Sequence, residues 1–143
     1  ANTYMDREQL NAAADLVAEA ALFDPVLVSE AAELYRRAGR PGKAMMLNGQ
    51  VADQETKLKQ RLGLYLELRR YAQAAAMDRD LRRNGLLEDE DIRYALAYAY
   101  FKVGEFDRAE TELQQLTRPD LFRKAAELRS AMQDCAEDAW QCL

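Results

Sequence analysis

The sequence predicts an all-α fold of antiparallel helical hairpins, stacked one against the next. Three observations predict it. Ala, Leu, Glu and Arg dominate while Gly and Pro number only 6 and 3, which is the vocabulary of helices. Apolar residues recur at intervals of three and four along the whole chain. A pattern also occurs three times: an aromatic, then a turn residue or ring, an alanine and an aliphatic. The sets are Tyr35, Pro41, Ala44 and Val51; Tyr65, Tyr71, Ala74 and Leu81; and Tyr100, Phe106, Ala109 and Leu116. Tyr35 to Tyr65 is 30 residues and Tyr65 to Tyr100 is 35, the span of a helix-turn-helix repeat.

About eight helices and no strand follow in order. The first runs from Met5 to Leu22, with Leu10, Ala13, Val17 and Ala20 on one face. Asp24 and Pro25 start the second, a cap for free amides followed by a ring with no amide to lose, and Gly39 stops it after Ala38. Past the turn Gly39-Arg40-Pro41-Gly42 the third spans Gly42 to Ala52, and Asp53 opens a fourth carrying Leu58, Leu62, Tyr65 and Leu66. A turn at Arg69-Arg70 precedes the fifth, with Ala74, Ala75 and Leu81, which ends at Asn84-Gly85. Glu88 to Val103 is the sixth, closed by Gly104; Phe106 to Leu116 is the seventh; Pro119 begins the last, reaching Asp134. With no Ser/Gly linker, 1–143 reads as one domain. It comprises a flanking helix (1–24), hairpins at 25–53, 54–88 and 89–118, and a capping helix and tail (119–143).

Composition narrows the function. The 143 residues can bury a real core, and no apolar run approaches the roughly 18 to 20 residues that cross a bilayer, so no direct membrane span is expected. A net charge of −5 argues against nucleic acid as partner, including a helical array that reads RNA. The absence of histidine removes the commonest general base and metal ligand. The start at Ala1, without methionine or an apolar signal segment, reads as a removed targeting peptide or an excerpt of a longer protein.

Motifs suggestive of chemistry have plainer explanations. Gly39-Arg40-Pro41-Gly42-Lys43 lacks the earlier glycine and the following Ser or Thr of a phosphate loop, so it reads as a hairpin turn. Glu88-Asp89-Glu90-Asp91 opens directly into a helix, where acids complement the free amides. No nucleophile has a base beside it, so no enzyme, cofactor or metal is expected.

The third copy, with Leu96, Ala97, Tyr100, Gly104, Phe106, Ala109, Leu113 and Leu116 ahead of Pro119, resembles the tetratricopeptide repeat. The second departs from it at Leu62, Gly63 and Arg70; the first keeps Ala32, Tyr35, Gly39 and Ala44, with Pro41 in place of the ring. The likeness covers roughly Pro25 to Pro119. It implies a right-handed superhelical stack whose first helices line a concave groove for a partner peptide or protein. By register the groove positions are Ser29, Glu33, Arg36 and Arg37; Lys59, Gly63, Leu66 and Glu67; and Tyr94, Tyr98, Phe101 and Lys102. The rings make an aromatic stripe that either anchors a partner or lies under the last helix through Phe122, Ala126 and Arg129.

The ends read as half-hairpins, Arg123, Lys124, Glu127 and Arg129 giving the last helix a polar outer face. Cys135 and Cys142 either stay free thiols in a cytosolic protein or form a disulfide. The disulfide requires a turn after Cys135, because seven helical residues span about 10 Å against the roughly 7 Å a bridge tolerates. A bridge suits an oxidising compartment, and the balance leans to periplasm over cytoplasm. Two functional readings follow: an interaction or scaffold module, or an assembly segment of a bacterial cell-envelope secretion or exopolysaccharide-export machine. In the second, helix ends would mediate homo-oligomers.

Overall fold

A computed structural model describes residues 3–137, with side chains from Asp6 onward. Nine α-helices are present among the described residues, and no strand: α1 (Thr3–Ala21), α2 (Val28–Arg37), α3 (Pro41–Asn48), α4 (Gln54–Glu67), α5 (Tyr71–Ala75), α6 (Asp78–Arg83), α7 (Glu90–Lys102), α8 (Phe106–Leu113) and α9 (Pro119–Glu137). The helix expected around Ala74 and Leu81 is interrupted: the Met77 amide bonds to Ala74 at 3.1 Å, one residue closer than the α pattern, which separates α5 from α6. Counted as one interrupted helix, the pair restores the eight expected. Two 3₁₀ turns, Pro25–Leu27 and Leu86–Glu88, precede α2 and α7. The chain divides into two compact units between Arg69 and Arg70, inside the segment read as the second hairpin.

Local chemistry sets the helix starts. The Asp24 carboxylate accepts from the Val26 amide (3.2 Å), Asp53 from the Thr56 amide (3.0 Å) and Asp89 from the Asp91 amide (3.0 Å). Pro41 occupies the first turn of α3, where its missing amide costs nothing. Gly39 and Gly104 hold φ of 81° and 82° at the α2–α3 and α7–α8 turns. Arg69, 30 residues after one and 35 before the other, holds φ 58° at the same kind of turn. The missing glycine of the second repeat is therefore at Arg69, one residue before the position its sequence suggests.

In the first unit Ala14, Ala32, Tyr35, Ala44 and Leu64 form a core, flanked by half-buried Ala18, Leu34, Met45 and Leu47. The inward face of α1 centres on Ala14, fully buried; of the expected face, Leu10, Ala13 and Val17 are half-buried and Ala20 is exposed. Asn48, also fully buried, donates to the Lys57 carbonyl (3.0 Å) and Gln60 Oε1 (3.0 Å) and accepts from Arg61 Nε (2.9 Å). Gln60 in turn donates to the Ser29 carbonyl at 3.0 Å, so one polar chain ties α3, α4 and α2 together.

In the second unit the buried set includes Leu81, Leu96, Ala97, Tyr100, Ala109, Leu113, Leu121, Ala125 and Leu128. Its polar centre is Glu112, 3% exposed and held by Arg82 Nη2 at 2.6 Å and Arg93 Nη1 at 2.8 Å. Arg93 also donates to the Leu87 carbonyl (3.0 Å), joining α6, α7 and α8 around one carboxylate. Glu90 accepts from the Thr117 amide (2.6 Å) and the Arg118 amide (3.0 Å), pinning the α8–α9 turn to the start of α7.

The two units are internal copies offset by 65 residues. Shifting α3 by that amount gives α8, end for end; the ends of α2 and α7 coincide, as do the starts of α4 and α9. Asp24/Asp89, Ala32/Ala97, Tyr35/Tyr100, Gly39/Gly104 and Ala44/Ala109 are identical pairs at that spacing. A three-part latch recurs in each unit, with its acid displaced two residues from that spacing. Tyr35 donates to Asp15 with Lys43 Nζ 4.7 Å over its ring, and Tyr100 donates to Asp78 with Arg108 Cζ 5.9 Å over its ring.

Two measurements test this account. Glu112→Ala strands Arg93 in a largely buried site and is expected to cost about 3 kcal/mol in a denaturant melt, with Glu112→Gln costing less because the amide oxygen still accepts. A loss within ~0.5 kcal/mol for both would show the clamp to be dispensable. The second concerns Tyr100, whose phenol is pushed up to about 12, first by burial and then by its bond to Asp78, against the lowering effect of Arg108. The stability it supplies is complete below pH ~10, where the unfolded phenol ionises, and is lost as pH rises toward about 12. Phenolate absorbance should therefore contain a late component that Tyr100→Phe diminishes; an unchanged titration in that variant would refute it.

Candidate functional site

The groove positions implied by register fall into two sets, one in each unit. In the first, α2 contributes Ser29, Glu30, Glu33 and Arg36, and α4 contributes Thr56, Lys59, Gln60 and Gly63, to a groove of about 520 Å³. Five of these, Ser29, Glu33, Arg36, Lys59 and Gly63, were singled out from the sequence. Glu30, Thr56 and Gln60 were not, although Thr56 and Gln60 share a helical face with Gly63 and could have been found by that spacing. Arg37, Leu66 and Glu67 lie outside the lining, Arg37 and Glu67 exposed and Leu66 half-buried.

Charge in this groove is arranged around Arg36. Its Nε donates to Glu33 Oε2 at 2.9 Å, and its Nη1 stands 3.6 Å from Glu67 Oε1. The Arg36 hydrogen bond holds the Glu33 carboxyl below its ordinary range, against the opposing effect of burial. Lys59 is exposed on the opposite wall and makes no ion pair among the described residues. At Gly63, mid-helix and exposed, nothing lies within 4 Å of where a Cβ would stand, so the groove keeps open depth at that point.

In the second unit the ring stripe is divided. Tyr98 meets Tyr71 edge-on with centroids 6.0 Å apart and approaches Phe101 at 6.2 Å; Phe101 stacks on Phe106 at 5.8 Å. Lys102 Nζ lies 5.6 Å from the Tyr71 centroid, 5.7 Å from Tyr98 and 5.9 Å from Phe101. Tyr94 is met by α9 instead: Lys124 Nζ is 5.8 Å from its ring, and burial followed by the Glu127 charge raises its phenol. The covering helix does not use the residues expected of it. Phe122 is 51% exposed, Ala126 is exposed and Arg129 pairs with Glu110 at 2.8 Å, because α9 turns Leu121, Ala125, Leu128 and Met132 inward. Tyr98, Phe101 and Lys102 thus remain a half-exposed aromatic and cationic patch.

Cys135 is not a free thiol; Cys142, the second member of the expected pair, lies outside the described residues. Among the described residues no group of Cys, Asp and Glu could hold a metal ion, and no helix is long and apolar enough to cross a membrane. No protein-family model matches the chain, and no curated protein or solved structure is detectably similar to it.

The open space at Gly63 yields a direct expectation. Alanine there adds no clash and gains helix propensity, so Gly63→Ala should raise stability by roughly 0.5–1 kcal/mol. A destabilised variant in thermal or denaturant melts would mean that the backbone at this point is held in a way only glycine permits.

Proposed function

We propose that the chain is a non-catalytic interaction module of tetratricopeptide type. Its hairpins stack as a right-handed superhelix and hold a partner peptide or protein on the faces of the first helices. The observation that supports this reading best is the groove between α2 and α4. It assembles five positions named by the repeat register, and it keeps a glycine at a helical site where alanine would be more stable. Mechanism here is complementarity of a preformed surface, with Lys59 available to carboxylates, Glu30 to cations, and Arg36 already shared between Glu33 and Glu67. The Tyr98, Phe101 and Lys102 patch would supply an apolar anchor.

A second reading, an assembly segment of a bacterial cell-envelope secretion or exopolysaccharide-export machine, is favoured by the turn after α1. There Leu22, Phe23 and Val26 are 80%, 88% and 81% exposed, more apolar surface than a lone turn needs. An oxidising compartment such as the periplasm fits either reading, given a Cys135 that is not a free thiol.

Comparative pull-down from native lysate separates the readings. A partner retained by the wild type and by Gly63→Ala, but lost by Gly63→Phe, would support the α2–α4 groove, and one lost by Tyr98→Ala would support the aromatic patch. A set of partners indifferent to both bulky and truncating changes would sink both. Self-association abolished by Phe23→Ser would favour the assembly reading.

A further inference from the structure

A second groove, sharing no residue with either set above, lies in the second unit. Ala72, Ala75, Ala76 and Val103 give it an apolar floor, and Arg79 and Arg108 set two cations on its rim, around an open space of about 570 Å³. That volume suits one or two large side chains. At its back Tyr100 donates to Asp78, the latch described above. Glu105 completes the rim.

The two units differ at this corner. In the first unit the corner beside the latch is filled. Arg40 lies 5.4 Å from the Tyr35 centroid and reaches Asn11 at 3.4 Å, and Arg7 Nε stands 3.7 Å from the Cβ position of Gly39. In the second unit Glu105 replaces Arg40, the helix opposite presents alanines, and nothing lies within 4 Å of the Cβ position of Gly104.

The charges nearby leave a positive remainder. The lining itself holds two cations, Arg79 and Arg108, and two acids, Asp78 and Glu105; with the ion-pair partners Arg82, Arg93 and Glu112 the connected set is four cations to three acids, a remainder of +1 in a chain of net −5. Asp78 is already engaged by the Tyr100 hydroxyl and by Arg82 Nε at 3.0 Å. Glu112 is engaged by Arg82 and Arg93. Glu105 stands 4.0 Å from Arg108, the outer limit of an ion pair, and Arg79 has no ion pair among the described residues.

We propose that this groove binds an acidic peptide segment, which lays an aromatic or branched aliphatic side chain on the alanine floor and sets carboxylates against Arg79 and Arg108. An apolar floor supplies burial and the guanidiniums supply direction, because they hold carboxylates in a planar fork and repel a basic segment.

The test titrates the ¹⁵N-labelled chain with acetyl-Glu-Phe-Glu-amide and, in parallel, with acetyl-Lys-Phe-Lys-amide. The acidic peptide is expected to shift the amides of Ala72, Ala75, Ala76 and Val103 saturably, with affinity about tenfold above the basic one. Ala72→Leu, at an exposed helical position, should fill the floor and abolish those shifts while leaving the first unit's amides unmoved. Arg79→Glu with Arg108→Glu should erase the preference for acid. The proposal falls if no saturable shift develops by ~5 mM peptide. Equal response to both peptides, or shifts centred on Tyr98 and Phe101, would also overturn it. Because the residues are distinct from those of the α2–α4 groove, failure here leaves that reading standing.

Discussion

Close approach of helices over alanine is the constraint on which both units depend. Ala14, Ala31, Ala32 and Ala44 in the first, and Ala74, Ala97, Ala99 and Ala109 in the second, have no solvent exposure at all. A methyl is the largest group that lets two helix backbones come near, and packing at interior density then leaves no slack for a longer side chain. Tyr35 and Tyr100 sit among these alanines, 1% and 2% exposed, and their phenols reach a carboxylate on the preceding helix. The small residues set the spacing and the tyrosine measures it: only at that distance does a buried hydroxyl find its acceptor and escape the cost of an unpaired polar group.

The polar interior follows from the same geometry. Each unit needs one polar tie where three helices meet, and each solves it differently. The first uses the neutral Asn48, with its amide fully satisfied. The second uses the charged Glu112, at the place where the first copy has the half-buried Leu47. Among the described residues no buried side-chain polar atom lacks a partner. Such ties add specificity more than stability, because a carboxylate between two guanidiniums suits only one register of the three helices.

What was legible in the sequence was local. Caps at Asp24 and Asp53, the left-handed turns at Gly39 and Gly104, and the inward face of α9 all rest on residues within one or two turns of each other. The centre of the α1 face at Ala14 is hidden because alanine is so frequent there that adjacent stripes look equally apolar, and only packing against α2 selects it. The roles of Gln60, Glu90 and Glu112 were hidden for a different reason. Each pairs with groups some 12 to 31 residues distant, and a polar side chain carries no sign of whether its partner is solvent or another helix. The alanine-floored groove was invisible on the same grounds: Ala72, Ala75 and Ala76 look like ordinary helix formers until the opposite wall is seen to stand away from them.

The 65-residue offset has a consequence for how such a chain changes length. Joining Gly39 directly to Glu105 would remove 65 residues yet leave the same left-handed turn between a helix ending as α2 does and one beginning as α8 does. Unequal recombination between the copies can therefore add or delete a whole unit without breaking a helix or losing its alanine and tyrosine register. Once two copies exist, one is free to diverge while the other keeps its shape. A corner packed shut by Arg7, Asn11 and Arg40 in one unit and left open over alanine in the other is the form such divergence takes.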